Sequence, residues 1–324
     1  MAVAGARQLG VANLALDRIF VAPLMAGRDA AARHPLRSRL APAAVRALTA
    51  LCRRLDWHRV QAFGRALGRT GWWFARRDRN RALEHLTFAF PELPADERRR
   101  LARRVFAHFG ILLGECLHLT DKGCEEAARH VEVEGWERVA ALRAAGRGVL
   151  IVTGHCGNWE LLAATINCRG LGMAVVAREL EEPRFNAFLL ALRERFGTRT
   201  ILRGRPQAAR DLLRTLRDGG ALGLLIDQDI AAEGVWVPFF GRLAFTPSGA
   251  ADLALRFDLA AVPAFIERRA DGSHLARFEA PLALPPDRTA ATGLMTARIE
   301  AQVRRRPEQW PWFHRRWRRR PPAD

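Results

Sequence analysis

The sequence predicts an α/β protein, with a mainly parallel sheet flanked by helices and preceded by a helical N-terminal region. From residue 146 onward, short apolar runs alternate with helical segments, and this βαβ rhythm is typical of a parallel sheet. Before residue 130, apolar residues recur at spacings of three and four, as they do along one face of a helix, and no strand is evident. We therefore expect residues 1–130 to form the helical region and residues 131–324 to form one compact α/β domain.

The N-terminal region carries helical patterns at residues 45–55, 60–74 and 101–119. Pro91 and Pro94 interrupt the pattern and mark a loop, because proline has no backbone N–H to donate inside a helix. A new helix is predicted to start at Ala95. Asp96 and Glu97 would then lie in its first turn, where the helix dipole favours negative charge.

In the second half, apolar runs bounded by turn residues are predicted as buried strands. These strands are residues 149–152, 174–177, 221–226 and 260–266, with a further candidate at 274–279. The helices predicted with them are residues 158–166, 183–196, 206–217, 247–257 and 289–305. Three of the helices begin with a proline (Pro183, Pro206 and Pro247), which is favoured in the first helical turn.

The composition excludes a disordered chain and favours an anionic partner. Of 324 residues, 49% are hydrophobic and 27% are charged, which is ordinary for a globular protein with a buried core. The 52 basic and 34 acidic residues leave a net charge of +18, and such an excess steers association with partners of opposite charge. Nucleic acid, an anionic membrane surface and an acidic protein are the partner classes that this charge allows.

Neither a zinc site nor a membrane-spanning segment is predicted. The five cysteines include no CxxC pair and no zinc-like His and Cys spacing, so we expect reduced, cytosolic thiols. The apolar stretch at residues 11–26 contains Asp17 and Arg18, which argues against a signal peptide and against a spanning helix. Residues 40–74 mix apolar and aromatic side chains with arginines, so a membrane-associating helix lying in the interface stays open.

The strongest chemical signal is a buried strand that runs into a glycine-flanked turn and then a helix. The turn reads Gly154-His155-Cys156-Gly157-Asn158. His155 is expected at the carboxyl end of the strand, where ligands bind in open α/β sheets. Asn158 is predicted as the N-cap, which places Glu160 in the first turn, with its carboxylate able to fold back onto His155 as in a general base. The simpler alternative for a His and a Glu at this spacing is a structural pair that caps the helix.

The segment from residue 154 to 162 resembles the His-x4-Glu motif of the lipid A biosynthesis acyltransferases, the lauroyl and myristoyl transferase family, which belongs with the wider His-x4-Asp glycerolipid acyltransferases. Further segments resemble family motifs in the same order: residues 88–92, 192–197, 226–229, 234–241 with 246–247, and 307–317. One departure is His85, which stands where the family carries asparagine. The resemblance spans residues 79–321.

The resemblance implies transfer of a fatty acyl chain from acyl carrier protein or coenzyme A to a hydroxyl of a lipid A precursor or similar glycolipid, without a metal or organic cofactor. His155 is the implied general base and Glu160 the residue that orients it. The implied substrate-binding residues are Gly157, Asn158, Trp159, Arg178, Arg193, Asp227 and Gln228. Asp227 and Arg193 are expected to pair beside the acceptor, which attacks the thioester directly, without an acyl-enzyme on Cys156. The oxyanion donor stays open between Arg193 and the N–H groups after the turn.

The tail at residues 304–320 contains eight arginines and one acid, together with Trp310, Trp312 and Trp317. Arginine and tryptophan suit a membrane interface, and they also suit stacking on single-stranded nucleic acid. The position of the tail after the acyltransferase motifs favours binding of lipid phosphate or of the acyl carrier, and we expect no nucleic acid as a partner. We expect a protein at the cytoplasmic face of the bacterial inner membrane, peripheral or weakly anchored. The alternatives are acyl transfer to an inositol mannoside or ornithine lipid, and a non-enzymatic basic protein that binds membrane or nucleic acid.

Overall fold

The computed structural model describes residues 35–180 and 182–321, with side chains from residue 45 onward. The chain divides into two compact units. Unit 1 comprises residues 35–122, Leu180–Phe188 and Pro311–His314, and unit 2 comprises Gly123–Glu179, Leu189–Trp310 and residues 315–321. The stretch at residues 11–26, considered above as a targeting segment, lies outside the described residues.

Unit 1 is helical. Its helices are α1 (Pro35–Arg54), α2 (Trp57–Phe74), α3 (Arg76–Ala89) and α4 (Ala95–His118), followed by a 3₁₀ turn at Leu119–Asp121. The three predicted helical patterns correspond to α1, α2 and α4. As predicted, α4 begins at Ala95 and carries Asp96 and Glu97 in its first turn. No helix among residues 35–180 and 182–321 is long and apolar enough to cross a membrane.

Helices α2 and α4 approach until their backbones touch. A Cβ atom on Gly64 would lie 2.5 Å from the carbonyl oxygen of Gly110, and one on Gly68 would collide with the carbonyl oxygen of Phe106. Only glycine fits at such a distance. Beyond this crossing, the ring of Trp72 packs edge-on against Phe106 with centroids 5.4 Å apart. The crossing and the buried Trp72 therefore fix the C-terminal end of α2.

Unit 2 is built around a seven-stranded sheet. Its strands are β1 (Val131–Glu134), β2 (Val149–Thr153), β3 (Ala174–Ala177), β4 (Arg199–Leu202), β5 (Ala221–Leu225), β8 (Ala260–Arg268) and β9 (His274–Phe278), and a separate antiparallel hairpin is formed by β6 (Gly234–Phe239) and β7 (Arg242–Pro247). The order across the sheet is β1-β9-β8-β2-β5-β3-β4, and every neighbouring pair is parallel except β8 with β9. The helices from residue 123 onward are α5 (Cys124–Arg129), α6 (Trp136–Ala144), α7 (Trp159–Cys168), α8 (Pro183–Arg195), α9 (Ala208–Arg217), α10 (Gly249–Arg256) and α11 (Arg288–Arg305), followed by a 3₁₀ turn at Pro307–Gln309.

The predicted fold class is confirmed, and the five predicted strands and five predicted helices of the second half have ends within two residues of those observed. The missed strands are β1, β4 and the hairpin of β6 and β7. β1 and β4 are the edge strands of the sheet and carry exposed polar residues, so neither shows the apolar run by which strands were identified. Pro183 opens α8 as predicted, whereas Pro206 and Pro247 lie before the first residues of α9 and α10.

Part of the arginine- and tryptophan-rich tail lies in the core, which corrects the expectation from its composition for Trp310, Trp312 and Arg316, whereas Arg304, Arg305, Arg315 and Arg320 are exposed. Trp312 is fully buried in unit 1, where its ring packs edge-on against Phe90. Trp310 and Arg316 are fully buried in unit 2, and the guanidinium of Arg316 donates to the hydroxyl of Thr246 in β7. Composition alone misleads here because an arginine whose N–H groups find acceptors can pack its stem inside a protein.

Cys124 and Cys168 form a disulfide, which corrects the expectation of reduced thiols for this pair. The bond joins the first residue of α5 to the last residue of α7. Cys52, Cys116 and Cys156 are buried thiols. A pairing between residues 44 positions apart depends on proximity in the fold, and cysteine spacing alone does not reveal it.

Candidate active site

Two neighbouring parallel strands bring His155 and Asp227 together. β2 pairs with β5, and the register places Thr153 opposite Leu225, which are the last residues of the two strands. His155 and Asp227 each follow two residues later. The same edge of the sheet therefore carries both side chains, at the carboxyl ends of parallel strands, where sites in such folds form.

Asp227 holds His155 by two hydrogen bonds. The backbone N–H of His155 donates to Oδ2 of Asp227 at 2.8 Å, and the imidazole Nδ1 donates to Oδ1 at 2.7 Å. An ionised carboxylate only accepts hydrogen bonds, so Nδ1 carries the proton and Nε2 holds a lone pair. The side chain of Asp227 is 0% exposed and that of His155 is 19% exposed, which leaves the imidazole within reach of a substrate. This is the geometry of an oriented general base.

A third donor keeps Asp227 ionised. Nε1 of Trp310 donates to Oδ2 of Asp227 at 2.8 Å. Burial raises the pKa of Asp227, but the charge of His155 and the hydrogen bonds from His155 and Trp310 outweigh burial and lower the pKa from 3.8 to about 2. Asp227 is therefore a carboxylate at neutral pH, and it stabilises the imidazolium that forms when Nε2 accepts a proton.

Two glycines allow the turn after β2 to pass close to its neighbours. A Cβ atom on Gly154 would lie 3.0 Å from Oδ2 of Asp227 and 2.8 Å from Cγ2 of Ile299. Gly157 has a φ of +63°, and a Cβ atom there would collide with the carbonyl oxygen of Ile266. Larger residues at either position would displace the turn that carries His155.

The family resemblance implies that Gly157 and Asn158 bind substrate, whereas in the structure both build the turn. The N–H of Gly157 donates to the carbonyl oxygen of Gln309 at 3.0 Å. Asn158 is fully buried, and its Oδ1 caps α7 by accepting from the N–H of Leu161 at 3.0 Å. The predicted N-cap is thus confirmed, and a side chain with no exposed surface is not placed to touch a substrate.

Glu160 does not orient His155, contrary to the prediction. Its carboxylate lies in the first turn of α7 and accepts from Arg193, with Nε at 2.9 Å and Nη2 at 2.7 Å. The backbone N–H and the Nδ1–H of His155 both donate to Asp227. Neither of these donors is therefore available to the carboxylate of Glu160. The predicted pair of Arg193 with Asp227 is also wrong, because Arg193 pairs with Glu160, while Asp227 accepts from His155 and Trp310.

Trp159 links the Glu160 and Arg193 pair to the base. Its ring packs edge-on against the imidazole of His155 with centroids 4.9 Å apart, while its indole N–H donates to Oε1 of Glu160 at 3.1 Å. Glu160 and Arg193 are therefore linked to His155 through Trp159, the predicted binding residue that lies against the base.

Gln228 is the candidate donor beside the reactive nitrogen. The N–H groups of residues 155–157 all donate within the protein, and Arg193 is held side-on by Glu160. Nε2 of Gln228 lies 3.4 Å from Nε2 of His155, a long hydrogen bond that an incoming substrate can replace. A donor at this place is close to the bond being formed, which suits it to hydrogen-bond a substrate oxygen.

Cys156 and Asp229 stand next to the site residues in sequence but are engaged elsewhere. Burial, together with the charge of Asp227, raises the pKa of the Cys156 thiol well above its usual value, so the thiol is unreactive. Asp229 is buried and pairs with Arg318 at 3.1 Å.

Trp310 is predicted to lie at a membrane interface but is fully buried beside Asp227. It contributes a buried N–H to Asp227 from a segment that lies 83 residues further along the chain. The available signal was the indole itself, because a buried tryptophan usually finds an acceptor for its N–H. Arg178 is the remaining predicted binding residue, and it follows β3, at the same edge of the sheet but beyond β5.

The pairing of Arg193 with Glu160 predicts non-additive effects of mutation. Each of Arg193→Ala and Glu160→Ala leaves the other charge without its partner in a mostly buried place, and should lower the unfolding free energy by about 2 kcal/mol and impair catalysis. The loss of unfolding free energy in the double variant should be smaller than the sum of the two single losses by about 1 kcal/mol or more. A double-mutant cycle by urea unfolding measures this, with the exposed pair Arg129 and Glu125 as a control expected to show almost no coupling. Additive losses at Arg193 and Glu160 would show that they act independently.

Comparison with known proteins gives the family. The family model described as bacterial lipid A biosynthesis acyltransferase matches residues 32–319. The chain is similar to the lipid A biosynthesis palmitoleoyltransferase of Escherichia coli K12, with 26% identity over 257 residues that cover 78% of this chain and 82% of that protein. It is also similar to the lipid A biosynthesis lauroyltransferase of the same organism, with 26% identity over 267 residues that cover 81% of this chain and 86% of that protein. A phosphatidylinositol mannoside acyltransferase of Mycolicibacterium smegmatis is 24% identical over 226 residues, which cover 69% of this chain and 74% of that protein.

The range matched by the family model contains every site residue described above, from His155 to Trp310. An acyltransferase needs a base for the acceptor hydroxyl, and the geometry of His155 and Asp227 provides one. The chain belongs to the bacterial lipid A biosynthesis acyltransferase family.

Proposed function

We propose that the protein transfers a fatty acyl chain from a thioester to a hydroxyl group of a membrane glycolipid, a lipid A precursor or a closely related lipid. The observation that carries this proposal is the pair of His155 with the buried carboxylate of Asp227, which leaves Nε2 open to an acceptor. Family membership supports acyl transfer to lipid A or a related glycolipid. The names of similar proteins point to two acceptor classes, lipid A and phosphatidylinositol mannosides.

In the proposed mechanism, Nε2 of His155 accepts the proton of the acceptor hydroxyl, while the oxygen of that hydroxyl attacks the carbonyl carbon of the thioester. Gln228 hydrogen-bonds the oxyanion of the tetrahedral intermediate, and Asp227 stabilises the imidazolium. The carbon–sulfur bond then breaks, and the imidazolium returns its proton to the leaving thiolate. The products are an ester and a free thiol, with no covalent bond to the enzyme.

Acyl carrier protein or coenzyme A is the proposed donor. Both present the acyl chain as a thioester, and both are anionic, the first through its acidic side chains and the second through its phosphates. The net charge of +18 supports this choice because it steers anionic partners to the protein. The same charge suits a phosphorylated acceptor lipid.

Mass spectrometry of the lipids of cells with and without the protein tests the proposed function. We expect a glycolipid that gains the mass of one acyl chain only when the active protein is present. A gain on an inositol mannoside or ornithine lipid would correct the acceptor and keep the chemistry. If no lipid gains an acyl chain and the purified protein consumes no acyl thioester with any acceptor, the proposed function is overturned.

The protein is further proposed to work at the surface of the cytoplasmic membrane. Trp73 and Phe74, at the end of α2, are 70% and 81% exposed. Exposed arginines stand beside them at Arg69, Arg76 and Arg77. Aromatic side chains suit the headgroup level of a bilayer and arginines suit its phosphates, so these residues support a peripheral location.

A vesicle sedimentation assay tests this location. The protein should sediment with vesicles containing phosphatidylglycerol at low salt and be partly released at high salt, because the arginines contribute by charge. Replacing Trp73 and Phe74 by serine should weaken binding roughly 10-fold or more, since both rings lose buried contact with the bilayer. Leu213→Ser, at a partly exposed apolar residue of α9, serves as the control and should bind normally. A protein that stays in solution with these vesicles at low salt contradicts the proposal.

A further inference from the structure

Two arginines lie side by side at the edge of the sheet that carries His155. β3 pairs with β4 in parallel, and the register places Ala177 opposite Leu202, the last residues of the two strands. Arg178 and Arg203 follow directly. The backbone N–H of Arg203 donates to the carbonyl oxygen of Ala177 at 2.8 Å, which extends the pairing past the strand ends and holds the two arginines level.

The surroundings of Arg203 concentrate positive charge in a partly buried place. Both Arg178 and Arg203 are half-buried. Burial and the charge of Arg178 lower the pKa of Arg203, which shows that the two guanidinium groups feel each other. Glu179, next in sequence to Arg178, pairs with the exposed Arg205 at 2.6 Å. In the part of the chain that the structure describes, no carboxylate contributes to the pKa shift of Arg203.

The arginines are within a glycolipid's reach of the base. The sheet order places β5 and then β3 beyond β2, so Arg178 lies two strands from His155. Neighbouring strands are about 4.8 Å apart, so the backbone of Arg178 is roughly 10 Å from that of His155, and the backbone of Arg203, one strand further on, is roughly 14 Å from it. A hydroxyl at Nε2 of His155 and an anionic group at Arg203 can then belong to one substrate.

We propose that Arg178 and Arg203 form a phosphate-binding site that orients a substrate for attack at His155. Guanidinium groups bind phosphate through paired N–H donors, and two of them match the charge of a phosphate monoester or diphosphate. The phosphate belongs either to the headgroup of the acceptor lipid or to the pantetheine arm of the donor. This inference rests on the proposed acyl transfer and adds to it the residues that recognise the phosphate.

The test compares Arg203→Gln and Arg178→Gln with a matched control, Arg199→Gln. Arg199 is exposed and is the first residue of β4, whereas Arg203 follows the last residue of β4. Arg199 therefore lies at the amino end of the strand, away from the proposed site. Acyl transfer is measured with a phosphorylated glycolipid and its dephosphorylated form as acceptors, and with acyl coenzyme A and an acyl N-acetylcysteamine thioester, which lacks phosphate, as donors. Thermal unfolding of all variants checks that they fold.

With the phosphate-bearing substrate, the two site variants should lose roughly 10- to 100-fold in kcat/KM, and Arg199→Gln should keep normal values. If the loss vanishes with the dephosphorylated acceptor, the site binds the acceptor phosphate, and if it vanishes with the short thioester, it binds the donor. Equal losses with every substrate pair, or no loss at all, would overturn the proposal. Titration of the wild-type protein and Arg203→Gln with inorganic pyrophosphate gives an arm independent of catalysis. Weaker binding to the variant supports the phosphate site even if no acyl transfer is found, and unchanged binding counts against it.

Discussion

His155→Ala should lower the rate of acyl transfer by roughly 100-fold to 10,000-fold, because the acceptor hydroxyl is weakly acidic and loses its base. The loss should appear mainly in kcat, since Nε2 acts on a proton that moves in the transition state. The measurement is acyl transfer by purified protein from an acyl thioester to a glycolipid. His155 is partly exposed at the edge of the sheet, so the variant should unfold at nearly the wild-type temperature.

His58→Ala is a suitable control for the loss of an imidazole as such, because His58 is an exposed residue of α2 in unit 1. It should leave the rate unchanged. Near-normal turnover by folded His155→Ala protein would remove His155 from the mechanism and leave the family assignment untouched.

Asp227→Asn should cost nearly as much, roughly 100-fold to 10,000-fold in kcat. An amide in this place can offer its NH₂ group to the imidazole, which favours the tautomer with the proton on Nε2 and blocks the base. It also removes the negative charge that stabilises the imidazolium. Acyl transfer by the purified variant, measured beside Glu160→Gln, distinguishes the two carboxylates. If Glu160→Gln proves far more damaging than Asp227→Asn, the assignment of Asp227 as the orienting carboxylate is wrong.

Asp227→Asn also changes how stability depends on pH. The pKa of Asp227 is lowered from 3.8 to about 2 in the folded protein, so the ionised carboxylate stabilises the fold above about pH 4 and this contribution disappears as the pH falls towards 2. The wild-type protein should therefore be the more stable near neutral pH, and the difference in unfolding free energy should shrink between pH 5 and pH 2. Urea unfolding across this range measures it, and a difference that stays constant with pH would contradict the ionised state of Asp227.

The fold was largely predictable because its central strands are apolar on both faces. β2 and residues 260–266 of β8, for example, are continuous apolar runs that a sequence pattern identifies without knowing their neighbours. β1 and β4 were not predicted, because an edge strand with exposed polar side chains lacks that apolar pattern. The position of His155 at the carboxyl end of β2 followed from the same local reasoning and is confirmed.

The partners within the site were harder to predict because they depend on strand order and register. His155 and Asp227 both follow the ends of apolar strands, but nothing in either segment says that β2 and β5 are neighbours. Without that knowledge, the carboxylate nearest in sequence, Glu160, is the natural choice. The contribution of Trp310 is harder still, since a fully buried indole and an interfacial one come from the same residue type in the same arginine-rich surroundings.

The burial of residues 310–314 and of Arg316 has a consequence for how the protein is made. Every strand and helix named above precedes these residues in the sequence, so a ribosome synthesises all of them before Trp310. Until then, Asp227 lacks the indole donor and the hairpin of β6 and β7 lacks Arg316. Unit 1 likewise lacks Phe313 until then, and the ring of Phe313 packs against Phe109 with centroids 4.9 Å apart. Domains usually fold as units during synthesis, but here both units are completed only after residue 316 has been added, so a growing chain carries no finished acyltransferase site.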